Sequence, residues 1–265
     1  MAMARQLPRR LREPRDWPVT SAHDYPGGEL VLFSAATTWK GYFGRRVARY
    51  LGRDVLEVGA GLGGTTRVLC RGDHRHWCCL EPDKALAARL GESIASGDLP
   101  ACCEVRVGTI DDLGPAESFD TILYIDVLEH IEDDRAELAR ASARLRPGGH
   151  VVALSPAHQW LYTPFDRAIG HHRRYSRQGF GALAGVGLER VRLDYLDSAG
   201  LLASLANKLI LKSAMPGPSQ IAFWDRVLVR VSKLADPLLG YSAGKSVLAV
   251  WRRPPASASS TTPAA

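Results

Sequence analysis

At 265 residues, 46% hydrophobic and 23% charged, the chain has the make-up of one globular α/β domain with enough apolar mass to bury a core. There is no run of about 18 apolar residues, and no apolar segment follows the arginines of MAMARQLPRRLREPRDWP, which argues against a membrane span or secretory signal and for a cytoplasmic protein. The formal charge of +6 is largely local to that leader, and the five cysteines (Cys70, Cys78, Cys79, Cys102, Cys103) sit in apolar runs without zinc or redox spacing, so reduced, buried thiols are expected.

Residues 1–25 read as a flexible basic arm, with Arg5, Arg9, Arg10, Arg12 and Arg15 against only Glu13 and Asp16. A helical stretch, SAATTWKGYFGRRVARYLG, follows. From Asp54 short apolar runs alternate with helical segments, the pattern of a parallel sheet covered on both faces. Strands are predicted at 54–59, 76–81, 103–107, 119–125, 150–155, 188–196 and 245–251, with helices at 64–70, 83–96, 132–146 and 176–186. About 50 residues separate the last two strands, where a hairpin would need a few. Their segments AGLLASLANKLIL and SQIAFWDRVLVRVSKLADPLL read as a helical cap at about 197–244, the second with Ile221, Trp224, Val227, Leu228, Val231 and Leu234 as its apolar stripe. The fold class is therefore a Rossmann-like seven-stranded α/β sheet, mostly parallel with an antiparallel last strand, spanning 26–252. Residues 253–265 form a compositionally disordered tail.

The stretch DVLEVGAGLGG carries the chemistry. Gly59, Gly61 and Gly64 fit the G-x-G-x-x-G turn of a dinucleotide site, while Gly59, Gly61 and Gly63 fit an E-x-G-x-G-x-G turn for a sulfonium cofactor. Glu81 ends the second strand about 20 residues on, where a carboxylate accepts from two ribose hydroxyls, and suits either ligand. Glu57 discriminates: a carboxylate aimed at the crevice opposes a pyrophosphate but is compensated by a methionine ammonium. The turn therefore favours S-adenosylmethionine over a nicotinamide dinucleotide.

Five ordered motifs, VLEVGAGLGGTT, LEPD, VGTIDDL, FDTILYIDVLEHIEDD and LRPGGHVVALSPA, resemble those of class I S-adenosylmethionine-dependent methyltransferases, and LYTPFDRAIGHHRRYS with GKSVLAVWRR resembles the bacterial type-11/12 group. The resemblance implies that Glu57, Gly59, Gly61 and Gly63 hold the methionine end, Glu81 the ribose, and Thr109, Ile110 and Asp111 the adenine. Asp126 neighbours the methionine ammonium. Thr109 stands where many relatives carry an acid, which leaves open which side chain reaches the ring.

A methyl acceptor needs placement and, for oxygen or a protonated amine, loss of a proton. Base candidates lie after the fourth and fifth predicted strands, where five of the eight histidines fall between positions 130 and 172. His171 is the first choice, oriented by Asp166, with Asp126 the alternative base. His130, His158, Tyr162, Arg174 and Tyr175 are candidate acceptor-binding residues, as are Trp39 and Tyr42 on the leading helix. Helix capping by Glu129 and His130, ion pairing by Arg173 and Arg174, and plain packing by Trp39 and Tyr42 remain competing roles. No compact carboxylate cluster has ligand-like spacing, so no metal is expected.

The expected partner is a small molecule, with a lipid-linked or membrane-surface acceptor as an alternative. Nucleic acid is disfavoured because YIDVLEHI stands where base-amine methylating enzymes carry an Asn/Asp-Pro-Pro-aromatic turn. A non-catalytic cofactor-binding module, a protein methyltransferase and a nicotinamide-dependent oxidoreductase stand as further alternatives. The acceptor and the oligomeric state are not legible.

Overall fold

The computed structural model describes residues 33–185, 187–208 and 217–255; the basic arm and residues 256–265 of the expected tail lie outside the described residues. The apolar runs form β1 (Asp54–Val58), β2 (His76–Glu81), β3 (Cys103–Val107), β4 (Phe119–Ile125), β5 (Leu145–Pro156), β6 (Glu189–Leu196) and β7 (Ser246–Arg252). Side chains of a strand alternate between faces, and here both faces are covered, so the inner strands stay apolar throughout. Leu56, Val58, Ile122, Tyr124, Ala249 and Trp251 enter one core, while Val55, Leu123, Leu248 and Val250 enter the other.

Helix α1 (Thr37–Val47) supplies Trp39, Tyr42, Phe43 and Val47 to the second core, joined by Leu69 of α2 (Thr66–Leu69) and Leu90 of α3 (Lys84–Ala95). Leu138 and Ala141 of α4 (Asp134–Arg144) close the first, with short helix α5 (Pro164–Ala168) beyond β5 and Phe180 of α6 (Arg177–Gly181) in the same core. The predicted helix at 176–186 is thus realised only in its first half. Strand β5 is longer than predicted because Leu145 already pairs with Phe119, across an irregularity in the β4 register. A Cβ at Gly149 would lie 2.8 Å from the Asp120 carbonyl, so that close approach needs glycine.

The strand order is β3-β2-β1-β4-β5-β7-β6. Strand β7 runs antiparallel to both β5 and β6, which makes β6 parallel to β5. The chain leaving β6 therefore emerges at the same edge as the carboxyl ends of β1, β2, β4 and β5, and the insertion before β7 stands there.

That insertion contains α7 (Ser198–Ala206), α8 (Pro218–Phe223), a π-helical turn at Trp224–Leu228 and α9 (Val229–Leu238). Its orientation corrects the predicted stripe. Ile221 is buried, but Val227, Val231 and Leu234 are exposed, and the inward positions are Asp225, Val229, Ser232 and Asp236. The buried acids are satisfied by hydrogen bonds. Asp225 accepts from the Thr38 and Trp39 backbone N–H groups at 3.1 and 2.8 Å, capping α1, which has no side-chain cap of its own. Asp236 accepts from Tyr42 and from the Asp197 and Ser198 amides, and Asp197 accepts from Trp224 and Ser232. Hydropathy favoured the opposite face; specific polar pairing decided the matter.

Candidate active site

The turn after β1 is built on left-handed glycines. Gly59, Gly61 and Gly63 have φ of +67°, +56° and +71°, whereas Gly64 is not among the residues with positive φ. The left-handed positions are therefore the alternating ones. A Cβ would meet Val127 at 2.7 Å from Gly59 and Leu90 at 2.7 Å from Gly63, so side chains are excluded by contact as well as by conformation.

Glu81 ties this turn to the next strand. Its Oε2 accepts from the Gly61 amide at 2.8 Å and its Oε1 from the Asp83 amide at 3.0 Å. Each oxygen retains a lone pair, the capacity that a ribose diol needs. Burial pushes this carboxyl above its usual range, although the two amides oppose it.

Glu57 does not sit as the charge argument required. It is buried, and Oε2 accepts from Thr66 Oγ1 at 2.7 Å and Trp77 Nε1 at 2.8 Å. Burial drives its carboxyl up to about 7, with the bonds from Thr66 and Trp77 opposing the rise. A fixed anion facing a ligand is thus replaced by an interior carboxyl raised to about 7.

The adenine expectation is also corrected. Ile110 is a core side chain, 1% exposed, because the short 3-10 turn at Ile110–Asp112 folds it inward. The Thr109 hydroxyl is engaged by Asp112, and Asp111 pairs with Arg140 at 3.2 Å. Thr109 and Asp111 stay exposed at the end of β3, while Ile110 is withdrawn into the core.

On the acceptor side, Asp126 takes φ +55° at the end of β4 and is open to solvent. The protein crowded around this exposed position still raises its carboxyl by partial desolvation, opposed by Lys40, His171 and Lys245. These two lysines escaped the sequence reading. Lys40 interrupts the aromatic face of α1 and Lys245 immediately precedes β7, but only the packing of distant elements turns both toward one aspartate.

The His171–Asp166 pair is present. His171 Nδ1 lies 3.0 Å from Asp166 Oδ1, and Arg174 grips the same carboxylate through Nε and an Nη at 2.8 and 3.0 Å. Burial works to raise Asp166, but the bonds from His171 and Arg174 overcome it and hold the carboxyl well below the usual range. Tyr162 donates to the His171 carbonyl at 2.6 Å and so fixes the loop. The other ring nitrogen, Nε2, lies 3.9 Å from Glu129 Oε1, and the His130 ring stands edge-on to His171 at 4.6 Å between centroids. Partial desolvation, with His171 and His172 adding to it, lowers the exposed His130 from its ordinary value. Glu129 is 0% exposed, and burial, then the Asp126 charge, pushes its carboxyl far up. The expectation of no metal considered carboxylates alone; the fold brings donor atoms of Glu129, His130 and His171 within 4.8 Å of one another.

Several predicted acceptor contacts are committed elsewhere. Trp39 and Tyr42 are buried, Trp39 against Phe43 and Trp224 and Tyr42 bonded to Asp236, so both hold the cap in place. Tyr175 is buried and donates toward the Leu128 carbonyl and Asp134. Arg173 pairs with Asp134 and Arg174 with Asp166, leaving neither guanidinium free. His158 takes φ +67°, bonds the Gly244 carbonyl at 2.9 Å and lies between Trp160 and Tyr195. Of that set, His130 alone remains solvent-facing beside His171.

Residues 56–151 match a family described as "Methyltransferase domain". A ubiquinone biosynthesis O-methyltransferase from Paramagnetospirillum magneticum is 34% identical over 116 residues, covering 40% of this chain and 45% of the relative. The chain thus spans less than half the length of the curated relatives it matches. Among solved structures, a coclaurine N-methyltransferase bound to N-methylheliamine and SAH has a TM-score of 0.56 at 15% identity, covering 82% of this chain and 72% of that one. The [4+2]-cyclase SpnF has a TM-score of 0.57 at 15% identity, covering 81% of each chain. These structures share the fold, and the cyclase among them marks how little the fold alone says about the reaction.

Proposed function

We propose that this chain, which has a class I methyltransferase fold and a match to a methyltransferase domain at residues 56–151, transfers a methyl group from S-adenosylmethionine to a hydroxyl oxygen of a small-molecule acceptor. The observation that carries the reading is the β1 turn: three alternating glycines in left-handed conformations, the middle one bonded to the Glu81 carboxylate. Oxygen is favoured as the acceptor atom because the curated relatives are O-methyltransferases and because a hydroxyl must lose a proton, for which the crevice holds a base.

When bound, the cofactor supplies a methyl group on a cationic sulfur. The chain's residues do the rest. The glycine turn and Glu81 would hold the donor, and exposed Asp126, within the electrostatic reach of Lys40 and Lys245, would border the acceptor. Asp166 would hold the His171 ring through Nδ1, leaving Nε2 as the nitrogen that could take the proton an acceptor hydroxyl must lose on methylation. The protein is to be incubated with labelled S-adenosylmethionine and extracts of the producing cell, and the labelled compound identified. His171→Asn is expected to lower kcat by about 10²–10⁴-fold with cofactor affinity unchanged. Absence of label in every extract, together with failure to bind the cofactor, would reject the reading.

An acceptor carrying a lipid chain is a second reading, favoured by one observation. Phe223, Val227, Val231, Leu234 and Leu238 form an exposed apolar stripe along the cap, beside exposed Arg226 and Arg230. No described helix is long and apolar enough to cross a membrane, so contact would be peripheral. Flotation with anionic vesicles is expected to capture the protein, and Val231→Glu with Leu234→Glu to abolish capture.

A further inference from the structure

Glu129 poses a problem that the proposed reaction does not solve. It is fully buried at the carboxyl edge of the sheet, and neither carboxylate oxygen makes a hydrogen bond of good geometry among the described residues; the Ser155 hydroxyl, equally buried and unpaired, is a weak neighbour that opposes only part of the burial. A buried carboxylate without partners costs several kcal/mol, so such groups are ordinarily paired, protonated or bound to a cation. The nearest basic atom, His171 Nε2, stops at 3.9 Å, too far for a hydrogen bond.

That spacing suits another relation. Two ligands bound to one ion at about 2.0–2.2 Å lie roughly 3.3 Å apart at a tetrahedral angle and about 4 Å apart near linearity. The Glu129, His130 and His171 donor atoms, all within 4.8 Å of one another, need only small side-chain adjustments to meet a shared ion. The arrangement behind His171 fits as well: Asp166 binds its Nδ1 at 3.0 Å and is itself clamped by Arg174, which leaves Nε2, 3.9 Å from Glu129 Oε1, as the nitrogen free to take a ligand. A carboxylate fixing the far nitrogen of a histidine is how metal-binding imidazoles are usually oriented.

We infer that Glu129, His130 and His171 form a binding site for a divalent first-row transition-metal ion. Two imidazoles and one carboxylate suit such an ion better than magnesium or calcium, which prefer oxygen ligands throughout. Three protein ligands leave a coordination position, and His130 is exposed, so that position opens to the crevice. The acceptor class this implies, a molecule presenting a hydroxyl oxygen to the ion, rests on the methyl-transfer reading; ion binding does not. An ion and a proton compete for the same Nε2 lone pair, so a loaded site would displace His171 from the role of base.

The probe is Mn²⁺, titrated into the full chain and followed by loss of the free-ion EPR signal. The thiols of Cys70, Cys102 and Cys103 form a second group of candidate ligands, but Mn²⁺ favours oxygen over thiolate, and Cys102→Ser serves as the control. One ion per chain is expected. Glu129→Gln and His171→Asn should each weaken binding at least tenfold, Asp166→Asn by about 10–100-fold, and Cys102→Ser less than twofold. Cofactor binding and the circular dichroism melt of each variant report whether it is folded, and His171→Asn keeps the test open should Glu129→Gln fail to fold. No bound ion, or binding unchanged in both Glu129→Gln and His171→Asn, overturns the inference. A chain that binds Mn²⁺ but not S-adenosylmethionine would overturn the methyl-transfer reading alone, and the reverse result would leave His171 as a free base.

Discussion

Glu57 shows how burial changes what a residue can be used for. From the sequence it was a charge facing a ligand; in the fold it is an interior carboxyl held by Thr66 and Trp77 and raised to about 7. Its folded value lies above the ordinary 4.5, so the stability it gives is fully present below about 4.5 and declines as pH rises to about 7, where the folded form also ionises. The difference corresponds to roughly 3 kcal/mol. Urea unfolding at pH 5 and pH 7.5 should therefore show Glu57→Gln gaining about 2 kcal/mol on the wild type over the interval; a change under about 0.5 kcal/mol would mean that the carboxyl titrates normally. The place of Glu81 at the end of β2 was legible because it follows from topology. The inward turn of Ile110 was not, because whether it points outward or into the core depends on a single 3-10 turn.

At the scale of elements, the cap helix carries the clearest lesson. Its inward face holds Asp225, Ser232 and Asp236, and its outward face holds Val231 and Leu234. Asp225→Ala removes the cap of α1 and leaves two amides without their acceptor, for an expected loss of about 2 kcal/mol in denaturant unfolding. Leu234→Ala, at a position 75% exposed, should cost less than about 0.5 kcal/mol. The opposite ranking would mean that the hydropathy stripe is the buried one. All seven strands were legible to within a few residues because period and β-propensity agree there. The face of the cap was not, because its burial rests on acids meeting helix amides and hydroxyls far away in sequence, which no periodicity records.

For the molecule as a whole, the sheet order brings the loops after β1, β2, β4 and β5 and the insertion after β6 to one edge, so ligand binding and fold stability are coupled. S-adenosylmethionine at about 100 times its Kd should add about 2.7 kcal/mol, or roughly 5–10 °C in Tm, while NAD at the same concentration should leave Tm unchanged. The reverse ranking in a thermal melt would return the glycine turn to a dinucleotide. The sequence by itself determined the strands, the alternating α/β order, the glycine turn with its acidic partner at Glu81, and the His171–Asp166 pair, because each depends on local period, local conformation or a spacing of a few residues. Only the tertiary structure decided that Gly63 rather than Gly64 is the third left-handed glycine, that Trp39, Tyr42 and Tyr175 belong to the interior, and that Glu129 meets His130 and His171 beside Asp126. Those outcomes depend on which distant groups share a buried volume, and desolvation and polar pairing there outweigh the preferences of any single segment.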